Sequence, residues 1–183
     1  MNKIGLRTGK LTKNRGFSVY DMLVAVGIVT VLGAVAIPAL KPVLSNQRMA
    51  TSVNTLMTAL HLTRSTAVQS GKRATLCPTR DGIECLGSST AWQEGLMVYI
   101  DENANRERDP HETVVQLFKI GRAVQLHSPS SRDHVTYQPN GLASGTNTTF
   151  VFCDTGRSAA ARKVIVANSG RARIFPAREA GSC

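Results

Sequence analysis

The chain has 183 residues, 42% of them hydrophobic and 5% aromatic, with 22 basic against 12 acidic side chains and a formal charge of +10. That length holds one compact domain with a modest core beside one long helix and needs no second domain. Five of the bases (Lys3, Arg7, Lys10, Lys13 and Arg15) fall in the first fifteen residues without an acid, so the global excess by itself says little about a polyanionic partner. No GxSxG, HExxH, P-loop or dinucleotide fingerprint occurs, so the chain is not expected to be an enzyme or to carry a cofactor.

From Met22 to Leu40 the chain carries no charge. As a helix rising ~1.5 Å per residue this run reaches about 28 Å, close to the roughly 30 Å hydrocarbon core of a bilayer. The basic start predicts a cytoplasmic N-terminus, which places residues 41–183 outside. A secretory signal with a cleavage site near Ala34-Val35-Ala36 is the competing reading. Against it stand Asp21 at the very start of the apolar run and the unbroken passage of that run into an amphipathic helix.

Gly16-Phe17-Ser18, an acid four residues after the phenylalanine, and Gly27 and Pro38 inside the apolar run resemble the class III signal of type IV pilins and type II secretion pseudopilins. The resemblance implies that a prepilin peptidase cuts between Gly16 and Phe17 and methylates the new N-terminal Phe17. It implies residues 1–16 as leader, 17–40 as the transmembrane half of a long helix, and 41–71 as its amphipathic second half. It also implies inner-membrane insertion with a periplasmic head, then packing against other major and minor pilins through the N-terminal helix. The family usually has Glu where this chain has Asp21, the residue implied to pair with a neighbour's terminal amine; Asp is one methylene shorter. An ion inside a membrane costs a few kcal/mol unless paired.

Further along, Met49, Val53, Leu56, Leu60, Thr63 and Ala67 recur at spacings of four and three, a largely apolar stripe on one helix face. Pro38 should kink or loosen the helix, and Gly71 should end it in a left-handed conformation. Beyond it the pattern turns to short β-type runs: 74–77, 95–100, 113–118, 122–127, 134–138, 148–153, 163–167 and 171–175. Turns fall at Pro139-Asn140-Gly141, Ser144-Gly145 and Asn168-Ser169-Gly170. The expected class is α+β: a long N-terminal helix packed on a β-rich domain over 72–183, which is also what the pilin resemblance implies.

Cys77, Cys85, Cys153 and Cys183 lie in the part expected to be oxidising, and three pairings are possible. Local closure favours Cys77–Cys85 and Cys153–Cys183. Zinc is the rival use, but there is no CxxC pair and the histidines at 61, 111, 127 and 134 are scattered.

Trp92-Gln93-Glu94-Gly95, then Val98-Tyr99-Ile100-Asp101-Glu102-Asn103, Asp109 and Glu112, resemble the W–G–(V/F)–D–N pattern of GspH-type pseudopilins and FimT/FimU-type minor pilins. Counted from Asp101, Asn103, Asn105, Asp109 and Glu112 occupy positions 3, 5, 9 and 12 of an EF-hand-like loop. Arg106 stands at the sixth, where the sharp turn calls for Gly. A charged surface turn competes with calcium there, and no metal is expected.

Between Gly156 and Arg178 lie Arg157, Arg162, Lys163, Arg171, Arg173 and Arg178 and no acid. Strand alternation puts Arg171 and Arg173 on one face about 7 Å apart, where each guanidinium fork fits a pair of phosphate oxygens. Arg157, Arg162 and Lys163 extend this patch if their loop folds beside the hairpin. A solvated edge strand blunted by charge is the bland alternative. Gly170-Arg171-Ala172-Arg173 matches the GRxR motif of FimT-type pilins, and that resemblance implies sequence-independent binding of double-stranded DNA during natural transformation. A structural minor pilin that primes assembly without DNA, and a type II secretion minor pseudopilin, are the competing functions.

Overall fold

The computed structural model describes residues 18–156 and 159–176, without the side chains of residues 35 and 37–39. Gly16, Phe17, Arg157, Arg178 and Cys183 therefore lie outside the described residues. Contacts divide the chain into two units, Met1–Leu40 and Lys41–Cys183. One helix, α1 (Val19–Ser70, 52 residues), is assigned without interruption through position 38.

In the first unit the helix starts on a local cap. The Ser18 amide donates to the Asp21 carboxylate (3.0 Å) and the Tyr20 amide to the Ser18 hydroxyl (3.3 Å). This Ser-x-x-acid arrangement satisfies amides that have no intrahelical acceptor. Past it, Met22, Leu23, Val26, Val29, Val31 and Leu32 are exposed, an apolar rod without a covering surface of its own. Among the described residues no helix is long and apolar enough to cross a membrane; the run from Met22 to Leu40 includes the four undescribed side chains.

In the second unit all six residues of the apolar stripe are buried, from Met49 to Ala67, joined by Ser45, Ser52 and Ala59. Gly71 ends the helix at φ +65°, a conformation that an L-residue with a Cβ adopts only at a cost. Eight strands follow: β1 (Arg73–Pro78), β2 (Leu96–Asp101), β3 (Val114–Phe118), β4 (Val124–His127), β5 (Val135–Tyr137), β6 (Thr148–Asp154), β7 (Arg162–Val166) and β8 (Ala172–Pro176). Each overlaps one of the eight runs read from the sequence, with ends that differ by at most two residues.

The strands form two antiparallel four-stranded sheets, β3-β2-β1-β5 and β4-β6-β7-β8. Ala74 and Leu76, Leu96 and Val98, Val124 and Leu126, Phe150 and Phe152, and Val164 and Val166 all enter one core with the helix stripe. Their spacing of two selects one face of each strand. The fold is thus α+β, a long N-terminal helix against antiparallel sheet.

Part of the outer face of the first sheet is also buried, though Leu117 on it is exposed. Cys77, Met97 and Tyr99 cluster there with Cys85 and Val114, and Cys77 and Cys85 are joined by a disulfide. Cys153 is held in a disulfide as well; its expected partner, Cys183, lies outside the described residues.

Trp92, on the short 3-10 helix Ala91–Gln93, is fully buried edge-on to Phe150 with ring centroids 4.8 Å apart. Its indole N–H donates to the Ser128 hydroxyl at 2.9 Å. A Cβ on Gly95 would come within 2.9 Å of the Thr79 carbonyl oxygen. The Trp92–Gly95 block is therefore a packing element: an aromatic anchor followed by a close backbone approach.

Candidate functional site

The basic C-terminal segment forms a two-stranded edge. β7 pairs with β8 in the register Lys163↔Phe175, Val164↔Ile174, Ile165↔Arg173 and Val166↔Ala172. The turn closes through the Ala167 amide on the Arg171 carbonyl (3.0 Å) and the Gly170 amide on the Ala167 carbonyl (2.8 Å). β8 has no partner on its other side among the described strands, and Arg171 and Arg173 are exposed.

Register sorts the expected basic residues. Residues paired across antiparallel strands share a face, so Lys163, Ile165, Arg173 and Phe175 lie together, with Arg171 two residues before Arg173. Arg162 pairs with Pro176 on the opposite face, in line with the buried Val164 and Val166. The structure thus brings Lys163, Arg171 and Arg173 together and turns Arg162 away from them. None of the ion pairs found among the described residues uses Lys163, Arg171 or Arg173.

One cation that the sequence patterns did not single out joins this face. Arg64, on α1, lines a cleft of about 580 Å³ with Ile165, Ala167, Ser169, Arg171, Arg173 and Phe175. Its guanidinium donates to the Gly170 carbonyl at 3.4 Å. Its signal in the sequence was slight, a lone arginine one residue after Thr63 of the buried stripe, at the edge of the helix face that receives the sheets.

The tip of the hairpin is fixed from below. The Ala143 amide donates to the Asn168 carbonyl at 2.9 Å, and Gly170, at φ +74°, sits against Gly141 and the Tyr137 ring. Burial pushes the Tyr137 phenol up to about 12, opposed by the charge of Arg64. Tyr137 is therefore a neutral platform under the turn at any physiological pH.

The Asp101–Glu112 loop closes on its own amides. The Arg106 amide donates to the Asp101 carboxylate (3.2 Å), while Arg106 and Ala104 take φ values of +68° and +64°. Asn103 and Asn105 side-chain amides both donate to Asp109, at 2.7 and 3.1 Å. Glu112 accepts from the Glu102 and Asp109 amides at 2.8 and 3.0 Å. Arg106 thus adopts the left-handed turn that was expected to require Gly. Among the described residues no three His, Cys, Asp or Glu side chains stand together so as to hold a metal. Burial raises the Asp101 carboxyl above the usual aspartate range; the Arg106 amide opposes this and the charge of Glu112 adds to it.

A long N-terminal helix whose second half buries a stripe against antiparallel sheets is an α+β fold of the pilin type. The family model described as "Type II transport protein GspH" matches residues 52–170. The chain belongs to the GspH family, and with it to the minor pilins and pseudopilins of type IV pili and type II secretion, structural subunits with no enzymatic role.

The pilin-like protein PilA1 of Thermus thermophilus is 26% identical over 166 residues, covering 87% of this chain and 97% of PilA1. The fold is similar to two crystal forms of the minor pilin FimU of Pseudomonas aeruginosa. These have TM-scores of 0.53 and 0.51 at 18% and 19% identity, and cover 73% and 71% of this chain and 92% and 94% of theirs.

Proposed function

We propose that the protein is a minor type IV pilin that captures DNA, without regard to sequence, on its β7–β8 hairpin during natural transformation. Gly16–Phe17 is the prepilin peptidase site, residues 17–40 anchor the subunit in the inner membrane with residues 41–183 in the periplasm, and the same helix later packs among other pilins in the fibre. Asp21 is the acid placed to meet a neighbour's terminal amine.

The single observation that carries the DNA reading is the shared face of Lys163, Arg171 and Arg173, outside the ion pairs of the described residues, on an open edge strand. Cations on an edge also discourage strand addition. An edge defence, however, needs no second helix cation beside the hairpin, and Arg64 is there. Among the described residues the hairpin carries no helix that could read a groove, so contacts are expected to go to phosphates and to carry no sequence information. A gel-shift assay with the full-length protein in detergent tests this: the wild type retards DNA and the Arg171→Ala/Arg173→Ala double variant retards it far more weakly. Undiminished retardation by the double variant removes the site.

The description of the matched family favours a second reading, a minor pseudopilin of type II secretion. Deletion of the gene distinguishes the two: loss of DNA uptake supports the first, loss of exoprotein export the second.

A further inference from the structure

We infer that the cleft between α1 and the hairpin takes an unpaired nucleotide, with its phosphate on Arg64, Arg171 and Arg173 and its base on Phe175, so that single-stranded DNA is held more tightly than duplex. This rests on the DNA reading above and specifies the form of DNA.

Three observations lead there. Phosphate contacts alone require no apolar surface, yet Ile165 and Phe175 remain 38% and 42% exposed on the cationic face. The two kinds of side chain alternate across the strand pair, Lys163 beside Phe175 and Ile165 beside Arg173. A cation next to an aromatic or aliphatic platform at each step is the arrangement that holds a phosphate and stacks the adjoining base. In a duplex the base faces cover one another, leaving Phe175 nothing to stack on.

The cleft is also the right size. Its volume of about 580 Å³ falls within the usual range for clefts that enclose small ligands. Arg64 also lines a second cleft of about 670 Å³ over the outer face of α1, with His61, Ser65 and Gln69. Arg64 lines both clefts. One of its N–H groups is directed at the Gly170 carbonyl, which holds the fork at the hairpin tip, and the guanidinium carries further N–H donors for a phosphate.

The experiment is fluorescence anisotropy of the full-length protein in detergent with a twelve-nucleotide oligothymidine and a twelve-base-pair duplex, each across a salt series. The wild type binds the single strand more tightly. Phe175→Ala weakens single-strand binding roughly 5- to 160-fold, the loss of about one stacked base, and changes duplex binding by less than about twofold. Phe175→Trp restores it. Arg64→Ala weakens both and makes the salt slope shallower by about 0.7 to 0.9, the contribution of one phosphate contact. A purely structural role for Arg64 would leave that slope unchanged.

Equal affinity for both probes, equal weakening of both by Phe175→Ala, or an unchanged slope in Arg64→Ala overturns the inference. If Arg171→Ala/Arg173→Ala abolishes binding while Phe175→Ala does nothing, stacking is wrong and DNA capture stands. If the wild type binds neither probe, both are wrong.

Discussion

Gly170 lies so close to Gly141 that a Cβ on Gly170 would overlap the Gly141 carbonyl oxygen. The first residue of the Gly170-Arg171-Ala172-Arg173 run therefore seats the turn, and the arginines that follow are positioned by that seating. Gly170 needs its glycine twice over, for its φ of +74° and for the contact. Gly170→Ala should cost about 1–3 kcal/mol and lower the melting temperature accordingly. Gly145, at φ +80° with nothing near its missing Cβ, is the control. Gly145→Ala carries only the conformational part, about 1–2 kcal/mol. Thermal melts followed by circular dichroism check both, with the larger shift expected at Gly170.

Asp101 is 1% exposed, and its second carboxylate oxygen has no protein partner among the described residues. Its pKa in the folded protein is raised above the unfolded value, chiefly by burial. The stability this group contributes is then fully present below the ordinary aspartate range and is lost as pH rises through the raised folded value. Asp101→Asn keeps an oxygen for the Arg106 amide and removes the charge. Its melting temperature should fall less than that of the wild type as pH rises from about 4 to neutrality. Parallel pH profiles for the two proteins would remove this assignment.

The processing proposal concerns residues outside the described structure and has a direct chemical signature. Mass spectrometry of the protein isolated from its native membrane should find N-methylated Phe17 at the N-terminus. A mature N-terminus at Ile37 would instead make the apolar run a secretory signal. Asp21 adds a second expectation, because its carboxylate caps the Ser18 amide. Asp21→Ala should lose about 0.3–1 kcal/mol of helix-end stability besides any effect on assembly, while Asp21→Glu, which also suits the third position of a capping box, should retain the cap.

Much of the fold was legible because two periodicities dominate the chain. Spacings of four and three marked Met49 to Ala67, and alternation with turn residues marked all eight strands. Gly71 takes the left-handed conformation expected of it, and Gly141, Gly145 and Gly170, in the three turns read from the sequence, also have positive φ. Chemistry set by tertiary placement was less legible. Arg162 and Lys163 look equivalent in sequence, and only the register of β7 against β8 puts one on the core side and the other beside Arg173. Arg64 is 106 residues from Gly170, a proximity no local pattern encodes. Arg106 in a left-handed turn was also missed, because the Asp101 carboxylate that receives its amide overrides the usual preference for Gly.

DNA capture by this subunit depends above all on the guanidinium groups of the hairpin. The most direct measurement is the affinity of full-length protein for DNA as a function of salt, wild type beside Arg171→Ala/Arg173→Ala. With two to five phosphate contacts, log affinity should fall against log salt with a slope of about −2 to −4 in the wild type, and the slope should be shallower by nearly two units in the double variant. Binding that is indifferent to salt, or a slope the double variant leaves intact, would contradict capture by these arginines.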